Sequence, residues 1–242
     1  MSGAKIVLLP DVHIDKDGYH PVYKPVKKFI KDFQPDEVVL MGDFADNSPL
    51  SHWNLDNKRR IDSGSHKKEI AIINKELDFL TDHATCITWL EGNHENWTEQ
   101  YLDKHPEMQG FIEYPVVCQL EERNIEWVKL NELYNVGHLQ ITHGFSCTEA
   151  HAKAHLLRLG CNVVYGHTHR SQTYTLNMAM QRTIKAWGLG CLCDKKPSFM
   201  RNKVAAWDHG FAVLYVADDG DFNLYPIDIV NGRFYFNGKS YK

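Results

Sequence analysis

Residues 5–10 (KIVLLP) and 37–42 (EVVLMG) decide the fold class of this chain. Both are continuous apolar runs of strand length, as expected for strands that are covered on both faces. Between them, apolar residues recur at helical spacing from Val22 to Phe33. A strand, a helix and a second strand in this order form a βαβ unit, so the first strands are predicted to be parallel.

The same alternation continues along the chain. Helices are predicted from Ile70 to Leu80 and from Ser146, which with Glu149 forms a candidate capping box, to about Leu159. Further strands are predicted at 86–92, 139–144, 161–166, 172–176, 183–187, 211–216 and 222–229. No repeat or flexible linker interrupts the pattern, so residues 1–242 are expected to form one domain. A long polar loop at about 47–66 resembles an insertion, and a second long connection spans 188–209.

The composition is that of an ordinary globular protein, with 43% hydrophobic and 24% charged residues in 242. The net charge of −4 gives no support to a nucleic-acid partner, which usually selects a basic surface. The sequence contains neither a signal peptide nor an apolar stretch long enough to span a membrane. We therefore predict a cytoplasmic protein without a membrane partner.

The carboxyl ends of five predicted strands carry acids, amides or imidazoles. The five clusters are Asp11-Val12-His13, Gly42-Asp43-Phe44-Ala45-Asp46, Gly92-Asn93-His94-Glu95, His143-Gly144 and Gly166-His167-Thr168-His169. Each cluster alone is compatible with an ordinary turn. Together they occupy the sheet edge at which ligands bind in α/β proteins, and residues two apart in an extended segment share a face. The sequence therefore predicts a metal site at this edge.

These clusters are similar, in content and order, to the five motifs of the calcineurin-like metallophosphoesterases: Asp-x-His, Gly-Asp-x-x-Asp, Gly-Asn-His-Glu, His-Gly and Gly-His-x-His. The similarity extends from Asp11 to His169, most of the chain. The resemblance implies an α/β fold in which a two-sheet β-sandwich is flanked by helices. It also implies two divalent metal ions.

The resemblance further implies which residues hold each ion. The first set is Asp11, His13, Asp43 and His169. The second set is Asp43, Asn93, His143 and His167, so that Asp43 bridges the two ions. Carboxylate, amide and imidazole ligands suit Mn²⁺, Fe or Zn²⁺, and ligand identity alone does not choose among them.

The implied reaction is hydrolysis of a phosphodiester or phosphomonoester by a metal-bound hydroxide. In it His94 would be the general acid, and Asp46 would orient His94. Trp53 and Arg59, in the long loop, and Arg170 are predicted to contact the substrate, because Trp stacks on rings and Arg binds phosphate.

Several alternatives stay open at this point. A nuclease and a small-molecule phosphatase fit the motifs equally well, although the net charge does not support the first. A protein phosphatase is less favoured, because Asp46 is followed by Asn47-Ser48 and not by Arg-Gly. A non-catalytic interaction module on the same fold is the alternative from another class, and the retention of every motif position argues against it. His151 and His155, outside the motifs, are expected to be solvated helix residues.

Overall fold

The computed structural model describes residues 3–51, 65–177, 183–197 and 205–242. Two β-sheets pack face to face in it, and helices cover the outer face of each. This arrangement confirms the predicted class, an α/β protein built on a two-sheet β-sandwich flanked by helices.

The first sheet has six strands in the order β11-β10-β1-β2-β3-β4. Its parallel part consists of β1 (Ala4–Leu9), β2 (Glu37–Leu40), β3 (Cys86–Leu90) and β4 (Ile125–Val128). Antiparallel strands β10 (Gly210–Val216) and β11 (Phe222–Asp228) complete it. Helices α1 (Tyr23–Phe33) and α2 (Ser65–Thr81) connect the first three strands, which confirms the predicted βαβ units.

The second sheet has five strands in the order β5-β6-β7-β9-β8. They are β5 (Tyr134–Val136), β6 (Leu139–Thr142), β7 (Val163–Tyr165), β8 (Gln172–Leu176) and β9 (Ile184–Gly188). Strands β6, β7 and β9 are parallel, and helix α5 (His151–Leu159) connects the first two of these. A separate hairpin of β12 (Phe234–Phe236) and β13 (Lys239–Tyr241) ends the chain.

Strand β1 shows why its sequence is apolar throughout. Val7 and Leu9 belong to the core beneath α1 and α2, whereas Ile6 and Leu8 belong to the core between the two sheets. Because successive side chains of a strand point to opposite faces, both faces of this central strand are removed from water. A third, smaller core lies beneath α5.

The structure differs from the sequence-based prediction in two respects. Helices α3 (Asn93–Leu102) and α4 (Tyr114–Val117), strands β4 and β5 and the final hairpin were not predicted. Helix α3 (NHENWTEQYL) has no clear apolar stripe, so its periodicity carries little signal. The predicted capping box is wrong: α5 begins at His151 after Ala150, and the Ser146 hydroxyl lies 3.2 Å from that of Thr148.

Within the described ranges, none of the helices is long and apolar enough to cross a bilayer. Cytoplasmic location and a single domain over residues 1–242 stay predictions. Of the predicted loop at 47–66, the structure describes 47–51, which includes a short 3₁₀ helix (Ser48–Leu50), and the start of α2.

Candidate metal centre

The carboxyl ends of the parallel strands of both sheets meet at one edge of the sandwich. His143, after β6, places Nδ1 2.9 Å from the carbonyl oxygen of Met41, after β2. The amide of His167, after β7, donates to the Asp11 carboxylate, after β1, at 2.9 Å. Polar residues from the two sheets therefore face each other across this edge.

One compact group consists of Asp11, His13, Asp43 and His169, whose potential ligand atoms all lie within 4.8 Å of one another. His169 Nε2 lies 3.2 Å from Asp11 Oδ1 and 3.3 Å from His13 Nε2. His13 Nε2 lies 3.7 Å from Asp43 Oδ2. This spacing allows four side chains to bind a single cation.

A second compact group consists of Asp43, His143 and His167. His143 Nε2 lies 3.5 Å from Asp43 Oδ2 and 3.0 Å from the side-chain oxygen of Asn93. Asp43 thus belongs to both groups. The structure brings all seven residues predicted as ligands to one place.

The charge of the two groups fits a bound cation. Asp11 and Asp43 are buried carboxylates. Among the residues that the structure describes, their ion-pair partners are histidines, and no lysine or arginine reaches them. Buried charges of one sign are costly unless they are compensated, and oxygen and imidazole donors suit a divalent ion.

The pKa values of His13 and Asp43 reflect the same concentration of negative charge. Burial alone would lower the pKa of His13, but the carboxylates of Asp46 and Asp43 outweigh burial and raise this pKa to about 10. Burial would raise the pKa of Asp43, yet the surrounding histidines, above all His143, hold it far below its usual range. The carboxylate field thus attracts positive charge strongly.

Five of the candidate ligands have a left-handed backbone conformation. Positive φ angles between 47° and 64° occur at Asp11, His13, Asp43, His167 and His169. Such angles are uncommon outside glycine, and strained residues of this kind cluster at functional sites. The surrounding contacts maintain these backbone conformations, which direct the five side chains into the two ligand groups.

Two of the histidines are fixed by a partner behind the ring. His143 Nδ1 donates to the carbonyl oxygen of Met41 at 2.9 Å, and His169 Nδ1 lies 3.8 Å from the Cys193 sulfur. The Met41 carbonyl oxygen keeps the proton of His143 on Nδ1 and leaves its Nε2 lone pair free for a cation. Both rings therefore present Nε2 towards the carboxylates.

Asp46 contacts two histidines through different atoms. Its carbonyl oxygen lies 2.6 Å from His94 Nδ1. Its carboxylate oxygen lies 3.4 Å from His13 Nδ1 and 3.8 Å from His94 Nδ1. The sequence indicated an orienting role towards His94, and the structure shows that the shorter contact to His94 is made by the main chain.

Glu95 is a residue of the motifs whose contribution sequence reasoning missed. Its buried carboxylate accepts the amide hydrogens of Asp43, Ala45 and Gly92, each at 2.9 Å. Burial and the nearby Asp43 charge raise its pKa to about 7. The signal that could have revealed this role is the position of Glu95, three residues after the N-cap Gly92 of α3, as in a capping box.

A cavity of about 650 Å³ opens beside the two groups. Besides members of these groups, Asp15, Asp17, Tyr19, Asp194 and Trp207 line it. A larger cavity of about 990 Å³, at strands β9 and β11, shares no lining residue with it. Of these two cavities, only the first opens onto the residues predicted to do chemistry.

The predicted substrate contacts stay predictions. Trp53 and Arg59 lie outside the described residues. Arg170 donates from Nη2 to the carbonyl oxygens of Cys147 and Thr148, at 3.0 and 2.9 Å, and does not line the 650 Å³ cavity.

The prediction that His151 and His155 are solvated is wrong. They are 1% and 0% exposed, because helix α5 turns them towards the second sheet. His151 Nδ1 lies 2.5 Å from the Tyr165 hydroxyl, and the His155 ring stacks on the Tyr165 ring at 3.6 Å. Residues 151, 152, 155 and 156 form the buried stripe of α5, in which the two imidazoles take positions that apolar residues usually occupy.

Two phage proteins are similar to the chain over nearly its whole length. Gene 54 protein of Mycobacterium phage L5 is 28% identical, and the match covers 97% of each chain. Gene 54 protein of Mycobacterium phage D29 is 27% identical with the same coverage. Neither name states an activity.

Among solved structures, TT1561 of Thermus thermophilus aligns with 93% of this chain and 99% of its own, at 9% identity and a TM-score of 0.37. Residues 4–171, well over half of the chain and including all five clusters, match the family model described as calcineurin-like phosphoesterase. The chain therefore belongs to the calcineurin-like phosphoesterase family.

Proposed function

We propose that this chain hydrolyses a small phosphoester with the help of two divalent cations. The observation that carries the proposal is the position of Asp43, which is shared by two compact groups of potential ligands. The family membership of the chain supports the same reaction class.

The residues that would hold the first cation are Asp11, His13, Asp43 and His169, and those for the second are Asp43, Asn93, His143 and His167. Two such ions, when bound, would neutralise phosphoryl oxygens and lower the pKa of a water molecule enough for attack on phosphorus at neutral pH. Mn²⁺, Fe and Zn²⁺ all suit this donor set, and Mn²⁺ is a practical first probe.

His94 would supply the proton for the leaving group. Its Nδ1 is occupied by the carbonyl oxygen of Asp46, and its ring packs on Trp97 with centroids 3.9 Å apart. Because the Asp46 carbonyl oxygen can only accept, Nδ1 keeps its own proton, and Nε2, 3.9 Å from Asp43 Oδ2, would carry a second proton to an ester oxygen in the imidazolium form. Burial lowers the pKa of His94, whereas the carboxylates of Asp43 and Asp46 act in the opposite direction and favour this cationic form. A well-placed general acid contributes about 10²–10⁴ in rate.

The cavity favours a small substrate over a nucleic acid. Its volume of about 650 Å³ is within the range of small-molecule sites. Asp15, Asp17 and Asp194 are among its lining residues, and the described lining residues include no lysine or arginine. Asp17 is already paired with Lys16, so the lining is only weakly negative, but it offers no lysine or arginine from the described residues to the many phosphates of a polyanion. One phosphoryl group could still reach the cations.

The test is hydrolysis of a nitrophenyl phosphomonoester and a bis-nitrophenyl phosphodiester, with Mn²⁺ and with a chelator. We expect turnover that requires Mn²⁺ and falls about 10²–10⁴-fold in His94→Ala. His105→Ala, which removes a partly exposed histidine just beyond α3, is the matched control and should retain full activity. The preferred ester narrows the substrate class.

Two results would contradict the proposal. A wild-type protein that neither binds Mn²⁺ nor cleaves either ester would restore the non-catalytic alternative. Degradation of oligonucleotides at a much higher rate than either small ester would identify a nuclease instead.

A further inference from the structure

The segment after β6 connects the second group of potential ligands to helix α5. It runs from His143 to Ala150, and its first three residues are His143, Gly144 and Phe145. Gly144 has a φ of +115°, a conformation that residues with a side chain rarely adopt. The carbonyl oxygen of His143 accepts the amide hydrogen of Gly166 at 2.9 Å. On the other side of Gly144 in the sequence, the backbone amide of Phe145 donates a hydrogen bond to His155 Nε2 at 3.0 Å.

His155 has a partner for each ring nitrogen. Its Nδ1 donates to the carbonyl oxygen of His151, one turn earlier in α5, at 2.8 Å. Its Nε2 accepts the Phe145 hydrogen, so the two contacts together require a neutral ring with the proton on Nδ1. The side chain is fully buried, where an acceptor without a partner would be costly.

The same ring also contacts the end of β7. It stacks on Tyr165, the last residue of that strand, at 3.6 Å and nearly parallel. Gly166 and His167 follow directly. His155 therefore contacts both segments that deliver histidines to the second group, one by a hydrogen bond and the other by stacking.

We propose that His155 is a positioning residue for the second cation. By accepting the Phe145 amide and stacking on Tyr165, it holds the ends of β6 and β7 so that His143 and His167 keep the spacing that one cation requires. The inference rests on the proposed function to the extent that the second group binds a metal ion. His155 itself contacts neither the substrate nor the cation.

The choice of residue matters because the Phe145 amide needs an acceptor that reaches out from α5. Leucine has a similar volume but offers no acceptor, and it would leave this amide without a protein partner beside Gly144. The side-chain oxygen of glutamine can reach the position of Nε2, whereas asparagine is too short. These differences separate positioning from simple packing.

The experiment is a calorimetric titration with Mn²⁺ alone for wild type and four variants: His155→Leu, His155→Gln, His155→Asn and Leu156→Ala. We expect two Mn²⁺ per wild-type chain. In His155→Leu, one of the two affinities should fall about 10–100-fold, as for other partners behind metal ligands, while the other stays unchanged. His155→Gln should restore the weaker site and His155→Asn should not.

Leu156→Ala is the control for packing, since Leu156 is buried in the same helix but makes no hydrogen bond to residues 143–145. It should lower the melting temperature and leave both affinities intact. Electron paramagnetic resonance adds a second readout, because two coupled Mn²⁺ ions give a spectrum distinct from that of isolated ions. If His155→Leu does not fold, the comparison of His155→Asn with His155→Gln carries the test.

Two results would overturn the positioning role: wild-type affinities for both ions in His155→Leu and His155→Asn, or equal weakening in Leu156→Ala. A wild-type chain that binds no Mn²⁺ is a different result, seen without any variant, and it would overturn the proposed function together with this inference.

Discussion

Two clusters of buried or half-buried histidines lie close together in this protein, and they differ in what surrounds them. In the candidate metal centre, His13 is surrounded by Asp46, Asp43 and Asp11, and its pKa is raised to about 10. In α5, His151 lies against the Tyr165 hydroxyl, and burial, with Arg170 and His155 nearby, lowers its pKa to about 4.

The difference teaches that burial alone does not make a histidine a metal ligand. Carboxylates around the first cluster create a negative field that a cation can neutralise, and several Nε2 atoms point into it. The second cluster has an aromatic environment, in which neutral rings act as hydrogen-bond donors and acceptors. The same residue type is therefore arranged as candidate cation ligands in one region and as hydrogen-bonded, stacked rings in the other.

The largest expected effect comes from Asp43→Asn, which removes the carboxylate shared by both groups. We expect ester hydrolysis to fall by at least about 10³-fold, because cation binding supplies several kcal/mol of stabilisation to the reaction. Mn²⁺ bound per chain should fall as well. Asp32→Asn, which affects only a surface ion pair with Lys239, should change neither quantity. Retained activity in Asp43→Asn would show that hydrolysis does not need the carboxylate shared by the two ligand groups, which would contradict the cation-binding role of the first cluster.

Two glycines, one beside each cluster, allow the tightness of packing in the two clusters to be compared. A Cβ at Gly92 would overlap the Asp43 amide and lie 2.8 Å from Glu95 Oε2. A Cβ at Gly188 would lie 2.7 Å from the Tyr165 hydroxyl and 2.9 Å from His151 Cε1. We expect each alanine variant to lose about 1–3 kcal/mol of unfolding free energy, measured in urea.

The two glycine variants should differ in Mn²⁺ binding. Gly92→Ala displaces Asp43 directly and should weaken binding more than Gly188→Ala does. The reverse order in a calorimetric titration would contradict the assignment of Asp43 to both cations.

Glu95→Gln tests how much the hydrogen bonds of Glu95 stabilise the backbone of the first cluster. Glutamine keeps one acceptor oxygen and turns an amide group towards backbone N–H groups, so at least one of the three hydrogen bonds is lost. We expect a loss of about 1–3 kcal/mol in the free energy of unfolding, measured by urea denaturation. Glu99→Gln, on the exposed face of the same helix, should be neutral. Equal stability of the two variants would show that Glu95 does not hold this loop.

The smallest expected effect concerns the second cluster and pH. The folded chain keeps His151 neutral down to about pH 4, whereas the unfolded chain takes up a proton near the ordinary pKa of 6.5. Stability should therefore fall as pH decreases from 6.5 towards 4 and level off below that range. His151→Phe should remove this component, on the order of a few degrees in melting temperature between pH 7 and pH 5. Identical pH slopes for wild type and variant would argue against a neutral His151.

Much of the architecture and of the candidate site could be predicted from the sequence. The apolar runs of β1 and β2 and the helical spacing of α1 are local patterns, because they arise from neighbours along the chain. The five polar clusters stand at strand ends in the sequence itself, and parallel strands bring such ends to one edge. The order of the elements and the location of the candidate centre follow from these two facts.

Only the tertiary structure decided how residues from different strands meet. The distance between His13 and His169, the three amides bound by Glu95 and the burial of His151 and His155 depend on which sheet faces which and how α5 is turned. Some of these contacts join residues that are far apart in the sequence. Others involve polar residues, for which a sequence pattern predicts exposure and not burial. Periodicity records only near neighbours in the chain, so such contacts become visible once the two sheets are packed together.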